Sequence, residues 1–260
     1  MESLTNVLKR LQNQKWTSAN SSGKEESTNW TCPICRDRGV VLGDDGIARI
    51  CSCQKQRRLE RLLESSQITL AFRSKTFENF SVANRPPIVK AMLECAKAYV
   101  ERFDNLRNQE NNWLAFLGQP GSGKTHLLIA IANNLLSRGH PVLYFQHVEG
   151  FTELRRLLAD NGDNVPAKVM EVKRAPILLW DDLFKGRETP TPWVLETVFE
   201  IINYRYLNCL PTLFSSELLP KDLMALDVAI ASRILERAKE RTVVITDPKA
   251  NYRLGGRKSE

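Results

Sequence analysis

The sequence predicts an α/β fold built on a central parallel sheet, with a small metal-binding lobe ahead of it. Three observations carry that expectation. The apolar run Trp113-Leu114-Ala115-Phe116-Leu117 leads into Gly118-Gln119-Pro120-Gly121-Ser122-Gly123-Lys124-Thr125-His126, and Leu127 to Ile131 then continue with the apolar content of a helix. Strand, glycine-rich loop and helix in this order match G-x-x-x-x-G-K-[ST] in the context where a loop cradles phosphate. Downstream, apolar strands alternate with helical stretches, which is the rhythm of a parallel sheet whose crossovers are helices. Upstream, four of the six cysteines fall between positions 32 and 53, a clustering that in a reducing compartment reads as metal rather than disulfide.

Composition sets the outer bounds. A chain of 260 residues with 42% hydrophobic content can build one substantial domain and a smaller one. No stretch has the length and apolarity of a membrane span, and Met1-Glu2-Ser3-Leu4 has no basic end running into an apolar stretch, so a cytoplasmic protein without membrane contact is expected. The net charge of +7 arises from 37 basic and 30 acidic residues. That excess favours polyanionic partners, the alternative being a mildly basic solvated surface. Cys95 and Cys209 stand apart in apolar helical patterns and read as small buried hydrophobes.

Taken in order, residues 1–15 place Leu4, Val7, Leu8 and Leu11 at helical spacing, an amphipathic helix whose apolar face needs a partner in this chain or another. Residues 17–29 are almost wholly polar and suit a linker. Cys32-Pro33-Ile34-Cys35 and Cys51-Ser52-Cys53 bracket residues 36–50, where Gly39, Gly43 and Gly46 supply turns. Two close pairs returned to one point by glycine turns predict a four-cysteine structural Zn²⁺ site, and a redox dithiol is the alternative. Residues 54–63 read as a basic amphipathic helix. Pro86-Pro87 marks a break before a helix at about 88–104, with Ile88, Met92, Ala96, Tyr99, Val100 and Phe103 on one stripe. The expected divisions are an N-terminal region 1–70, a linker and packing helix 71–110, and a nucleotide-binding domain 111–260.

Within that domain the predicted elements are a helix over Thr125–Ser137 stopped at Gly139, a strand over 141–145 and a helix over Gly150–Ala159. A turn at 161–164 and a helix near Ala167–Lys173 precede a strand from Pro176 that ends in Asp181-Asp182. A helix over Pro192–Leu207, a strand over Thr212–Ser216, a helix over Ala229–Glu240 and a strand over Thr242–Ile245 complete the series. No internal repeat is present.

Chemistry follows from two of these segments. Glycines at 118, 121 and 123 let successive backbone N–H groups point at phosphate oxygens, Lys124 reaches the β- and γ-phosphates of ATP, and the Thr125 hydroxyl can ligate Mg²⁺. Asp181-Asp182 follow about 55 residues later at the end of an apolar strand, and carboxyl ends of parallel strands face the ligand crevice. Asp181 is then expected near Mg²⁺, and Asp182 is expected to orient or deprotonate the attacking water. The bland readings are a glycine-rich surface turn and a turn or helix cap. Cleavage of the γ-phosphate also needs a compensating cation, which a ring-forming ATPase takes from a neighbouring subunit; Arg233 is the candidate finger and Arg237 the second choice. For DNA, Arg155, Arg156, Lys185 and Arg187 are candidates to line the inner face of an oligomer by neutralising phosphates, and an ordinary surface charge is the alternative for each.

Gly118 to Leu127, the segment Leu178-Leu179-Trp180-Asp181-Asp182-Leu183, Pro211 to Leu218 and Ala231 to Arg237 resemble the motifs of the DnaC/DnaI helicase loaders and the related IstB transposition ATPases. His126 and the ending Asn251-Tyr252-Arg253-Leu254 are similar too, and the resemblance covers roughly Lys75 to Leu254. It implies an AAA+ P-loop NTPase fold, Mg-ATP binding, weak ATPase activity and contact with single-stranded DNA. It also implies loading of a hexameric replicative helicase in the initiation of DNA replication, with the cysteine lobe contacting the helicase. The alternative is an IstB-like ATPase regulating a DNA transposase; a P-loop kinase and a non-hydrolysing zinc adaptor are rivals of another class. One departure stands out. Where the family's sensor-1 strand ends in asparagine this chain has Glu217, so either Glu217 points away from the γ-phosphate or Ser216 takes over, with slow hydrolysis. No clear sensor-2 arginine is present, Arg253 being the nearest match.

Overall fold

The structure is a computed structural model that describes residues 30–42, 47–160, 162–186 and 189–253. The helix expected at 1–15, the polar stretch 17–29, Gly43, Gly46, Asn161, Arg187 and Leu254 lie outside the described residues. The chain divides into two compact units, Met1–Glu64 and Ser65–Glu260. Among the described residues no helix is long and apolar enough to cross a membrane.

In the first unit a hairpin of β1 (Val40–Leu42) and β2 (Ala48–Ile50) pairs antiparallel with Val40 opposite Ile50 and Leu42 opposite Ala48. Helix α1 (Cys53–Ser65) follows at once. Apolar burial does little here. The buried residues that cluster are Cys32, Cys35 and Cys51, with Val41 and Cys53 packed on them, so the lobe is organised around sulfur rather than around an aliphatic core.

The second unit holds five parallel strands in the order β4-β5-β6-β3-β7, formed by β3 (Leu114–Gly118), β4 (Leu143–Gln146), β5 (Leu178–Asp181), β6 (Thr212–Ser216) and β7 (Thr242–Ile245). Every residue of β3, β5 and β6 is buried, as the continuous apolar runs require for strands covered on both faces. The covering helices are α2 (Leu70–Arg73), α3 (Pro87–Leu106), α4 (Lys124–Ser137), α5 (His147–Ala159), α6 (Val165–Arg174), α7 (Pro192–Leu207), α8 (Pro220–Leu226) and α9 (Val228–Ala238). Local chemistry sets their ends. Proline stands in the first turn of α3, α6, α7 and α8, where its missing N–H is harmless. The Thr191 hydroxyl accepts from Val194 N–H to start α7, and the Asp227 carboxylate accepts from Ile230 N–H to start α9.

Two elements differ from expectation for physical reasons. Helix α5 begins at His147, so Gly150 lies inside its first turn; a Cβ there would come within 2.2 Å of the Phe145 ring. The last helix stops at Ala238, with Lys239 at φ 41° opening a short 3₁₀ turn, so it ends before the expected Glu240. Arg205, in the last turn of α7, is fully buried without a carboxylate partner among the described residues. Its guanidinium donates to the carbonyls of Val172, Lys173 and Ala175 at the end of α6, to Pro211 O and to Thr212 Oγ1. The negative end of the α6 dipole and four carbonyls thus stand in for an anion.

Candidate functional site: a nucleotide cleft and a four-cysteine centre

The cleft lies at the carboxyl ends of β3, β5 and β6, where the strand order places a crevice. It encloses about 680 Å³, and Phe80, Arg85, Lys124, Asp182, Glu217 and Tyr252 are among its walls. The phosphate loop joins β3 to α4 with Gly121 at φ 70° and Gly123 at φ 96°. Both are left-handed and both are crowded. A Cβ on Gly121 would lie 2.1 Å from Asn251 Oδ1, and one on Gly123 would lie 2.5 Å from the Phe80 ring. Lys124 is 5% exposed and donates to Gly118 O at 2.6 Å and Gln119 O at 2.8 Å. Burial lowers its pKa to about 8, so the loop holds a cation that gains from an incoming phosphate.

Asp181 is 1% exposed and carries three donors. Its Oδ1 accepts from Thr125 Oγ1 at 2.9 Å and Ser215 Oγ at 2.5 Å, and its Oδ2 accepts from Tyr144 Oη at 2.9 Å. Burial raises its pKa, and the Ser215, Tyr144 and Thr125 hydrogen bonds oppose the rise. Asp181 and Thr125, expected together at Mg²⁺, are therefore in direct contact, and an oxygen-rich pair of this kind fits a hard cation. Asp182 follows at φ 54°, a left-handed conformation uncommon outside glycine. Its N–H donates to Ser215 Oγ at 2.8 Å, and its Oδ2 accepts from Lys185 Nζ at 2.9 Å.

Lys185 is placed differently from the sequence expectation. Its ammonium is in the cleft, where it also meets Glu217 Oε1 at 2.9 Å, because the two carboxylates there attract it away from an outer face. The acid at 217 is thus neutralised by Lys185, an arrangement that the sequence did not suggest. Ser216 is the other residue expected in this polar role. It is fully buried, donates to Leu183 O at 2.7 Å and accepts from Leu218 N–H at 3.2 Å.

The loop is braced from outside. Arg85 donates to Ser122 O at 2.7 Å and Ala250 O at 2.6 Å, with its guanidinium 5.5 Å from the Phe80 ring and 5.7 Å from the Tyr252 ring. Tyr252 N–H donates to Gly121 O at 3.0 Å. His126 Nε2 is 2.8 Å from Thr76 O, its ring is edge-on to Phe80 at 5.1 Å, and burial lowers its pKa. The ring is therefore neutral near pH 7 and donates to that carbonyl. Arg253 is a wall of the cleft, while Gln119 and Pro120 complete the loop, the N–H of Gln119 donating to Ile245 O at 2.7 Å.

Neither candidate finger lines the cleft of its own subunit. Arg233 donates to Ala229 O and Asn203 Oδ1 and faces the Phe199 and Tyr206 rings. Arg237 is 8% exposed, stacks 4.1 Å from Tyr206 and donates to Tyr206 O, so its guanidinium is occupied in packing. Arg155 and Arg156 are exposed on α5. Sequence reasoning did not single out Tyr144, Ser215, Arg85 or Phe80, although Ser215 stood beside Ser216 at the end of a recognised strand.

In the first unit the sulfurs of Cys32, Cys35, Cys51 and Cys53 all lie within 4.8 Å of one another, with Cys32 to Cys51 at 3.8 Å and Cys35 to Cys53 at 3.4 Å. Tetrahedral Zn–S bonds of about 2.3 Å put sulfurs about 3.8 Å apart, so the donor set fits Zn²⁺. Gly39 N–H donates to Cys35 Sγ at 3.4 Å, and Asp37 accepts from the N–H groups of Thr31 and Cys32. These bonds hold the turn after the first pair.

Compared with known proteins, residues 44–259 match the family of IstB-like ATP-binding proteins. The chain is 39% identical over 247 residues to the phage-like element PBSX protein XkdC of Bacillus subtilis (strain 168), covering 92% of this chain and 91% of that protein. It is 28% identical over 170 residues to the replicative helicase loader DnaI of Bacillus subtilis (strain 168), covering 65% of this chain and 52% of DnaI. A crystal structure of DnaI superposes with a TM-score of 0.56 at 26% identity, over 69% of this chain and 95% of that one. The replication initiator DnaA bound to AMPPCP and single-stranded DNA superposes with a TM-score of 0.54 at 25% identity, over 68% of this chain and 51% of that one. The chain thus spans about half the length of the DnaI relative and of that DnaA structure. Parallel sheet, phosphate loop and strand-end aspartates, in a chain so matched, make it a member of the IstB-like ATP-binding protein family, with the AAA+ fold of the DnaC and DnaI proteins.

Proposed function

We propose that this protein hydrolyses ATP to ADP and phosphate and uses the nucleotide state to deliver a hexameric replicative helicase to single-stranded DNA at the initiation of replication. The observation that carries the hydrolytic half is the direct Thr125–Asp181 contact, with Asp182 in the same cleft. Gly118, Gln119, Pro120, Gly121, Ser122 and Gly123 present the loop backbone to the phosphates, and Lys124 leaves its two carbonyls for the β- and γ-oxygens. Thr125 and Asp181 are the residues that would hold Mg²⁺, which when bound would supply charge neutralisation at those oxygens. Asp182 orients the attacking water and takes its proton at Oδ2 once Lys185 lets go of that oxygen. Arg233 serves a neighbouring subunit's cleft, in line with its position away from its own.

The helicase half rests on the likeness to DnaI and on the four-cysteine lobe. In this reading residues 1–70 engage the helicase, 71–110 connect and pack, and 111–260 bind nucleotide and DNA, with exposed Arg155 and Arg156, and Arg187, on the DNA side. The match to IstB-like proteins favours one second reading, an ATPase that regulates a DNA transposase.

The test uses the full chain. Asp182→Asn should keep ATP affinity and lose turnover, whereas Lys124→Ala should lose affinity. Full-length protein should co-migrate with the replicative helicase of its source organism in the presence of ATP. Turnover by Asp182→Asn at the unmodified rate refutes the hydrolytic half. Binding to a transposase in place of the helicase moves the assignment to the second reading.

A further inference from the structure

The first unit carries a surface that nucleotide chemistry does not use. Lys55, Arg58 and Arg61 recur at every third position of α1, and all three are exposed, so they form one cationic stripe. With Arg38, Val40 and Ile50 they line a single groove of about 840 Å³ that has no aspartate or glutamate among its described walls. The hairpin beside it exposes aliphatic side chains: Val40 is 48% exposed, Leu42 73%, Ile47 58% and Ile50 80%. Four such residues together on so small a lobe mark an interaction surface rather than scattered surface apolarity.

Charge and chemistry select the occupant. Arg38, Lys55 and Arg61 in this wall call for carboxylates or phosphates. Strand-like nucleic acid binding relies on aromatic platforms for the bases, and no aromatic residue is among the described walls of this groove. Aliphatic side chains set beside cations instead match a peptide that carries both acid and leucine-like residues. A second copy of this chain is a poor fit at this wall, because its net +7 opposes docking there even where copies meet at their nucleotide clefts. The apolar stripe at residues 1–15 of the chain is a poor fit as well, since Lys9, Arg10 and Lys15 outnumber Glu2.

We infer that the groove between α1 and the hairpin docks an acidic, aliphatic-rich segment of a partner protein, with carboxylates against Arg38, Lys55 and Arg61 and aliphatic side chains against Val40 and Ile50. The inference deepens the loader reading and rests on it only for the identity of the partner.

The experiment uses the full-length protein and two fluorescent probes, a synthetic peptide of repeated Glu-Glu-Leu-Leu and a dT oligonucleotide. The variants are Lys55→Glu with Arg61→Glu, and separately Ile50→Ser, each with zinc content measured to show that the lobe is intact. Peptide binding should weaken at least tenfold in both variants and fall with added salt, while dT binding stays within twofold. Peptide that is not bound, or is bound equally by the charge-reversed protein, overturns the proposal. So does loss of dT binding with the charge reversal, which makes the groove a nucleic-acid site. A second arm repeats the variants with the helicase. Full helicase binding by the charge-reversed protein overturns the groove and leaves the loader reading standing. Peptide binding that behaves as expected, with no helicase bound by the unmodified protein, supports the groove and overturns the loader reading.

Discussion

Replacing Ser215 with alanine probes how the two aspartates are held. The hydroxyl is fully buried, donates to Asp181 Oδ1 and accepts from Asp182 N–H. Alanine removes one of three donors from a buried carboxylate and leaves a backbone N–H without its acceptor. Each such loss costs about 1–3 kcal/mol, so the variant should be about 2–6 kcal/mol less stable, a large fraction of a domain's ~5–15 kcal/mol. The cost should also depend on pH. Asp181 already has a raised pKa because of burial, with Ser215 the largest opposing influence. A carboxyl whose folded pKa lies above its unfolded value opposes folding increasingly as pH rises through that interval, and the alanine variant widens the interval. The deficit should therefore be larger at pH 7.5 than near pH 5. Urea denaturation at both values measures it, and Mg²⁺-dependent ATP affinity should fall in parallel because the carboxylate that accepts from Thr125 loses one of its three donors. A deficit under about 0.5 kcal/mol at pH 7.5, against the ~1–3 kcal/mol expected for one orphaned buried group, would refute the reasoning. A deficit that does not change with pH would refute the electrostatic part alone.

Lys124, lowered to about 8 by burial, should become more basic when it meets phosphate, so ATP binding should take up a proton above pH 8 and weaken by up to tenfold per pH unit there; calorimetry at pH 8.5 in buffers of different ionisation heat reads this directly. Arg205→Met should leave the carbonyls of Val172, Lys173 and Ala175 without their side-chain donor and destabilise the second unit by about 1–3 kcal/mol for each carbonyl left unpaired, seen as a lower urea midpoint, while the folded fraction keeps its ATP affinity. Cys32→Ser with Cys35→Ser should abolish stoichiometric zinc in purified protein and make the first unit sensitive to proteolysis, with ATP binding by the second unit unchanged. Equal zinc in both proteins would remove the metal assignment.

The legible parts of this chain were those whose physics is local. Helix α7 over Pro192–Leu207 and the strands Thr212–Ser216 and Thr242–Ile245 have the bounds expected from the sequence, set by proline and by short apolar runs. The phosphate loop was legible because its glycines, lysine and threonine act within one turn. The illegible parts depend on distance or on exceptions to pattern. Arg85 meets carbonyls 37 and 165 positions away, and nothing near residue 85 hints at either. Ser215 and Ser216 sit on a strand buried on both faces, so no alternation reveals which hydroxyl turns toward Asp181. The hairpin at Val40–Ile50 exposes its aliphatic residues and so lacks the inside-outside pattern of a strand pair. Helix α8, at seven residues, is too short for a helical period to stand out.

The guanidinium of Arg85 ties the time at which the nucleotide site forms to the order in which the chain is made. All five strands of the sheet are complete by Ile245, yet the loop is fastened through Ala250 and Tyr252, which a ribosome releases afterwards. Closing a contact across 165 positions is entropically late in any folding route. A nascent chain therefore carries a finished sheet before it carries the residues that fasten the phosphate loop from outside.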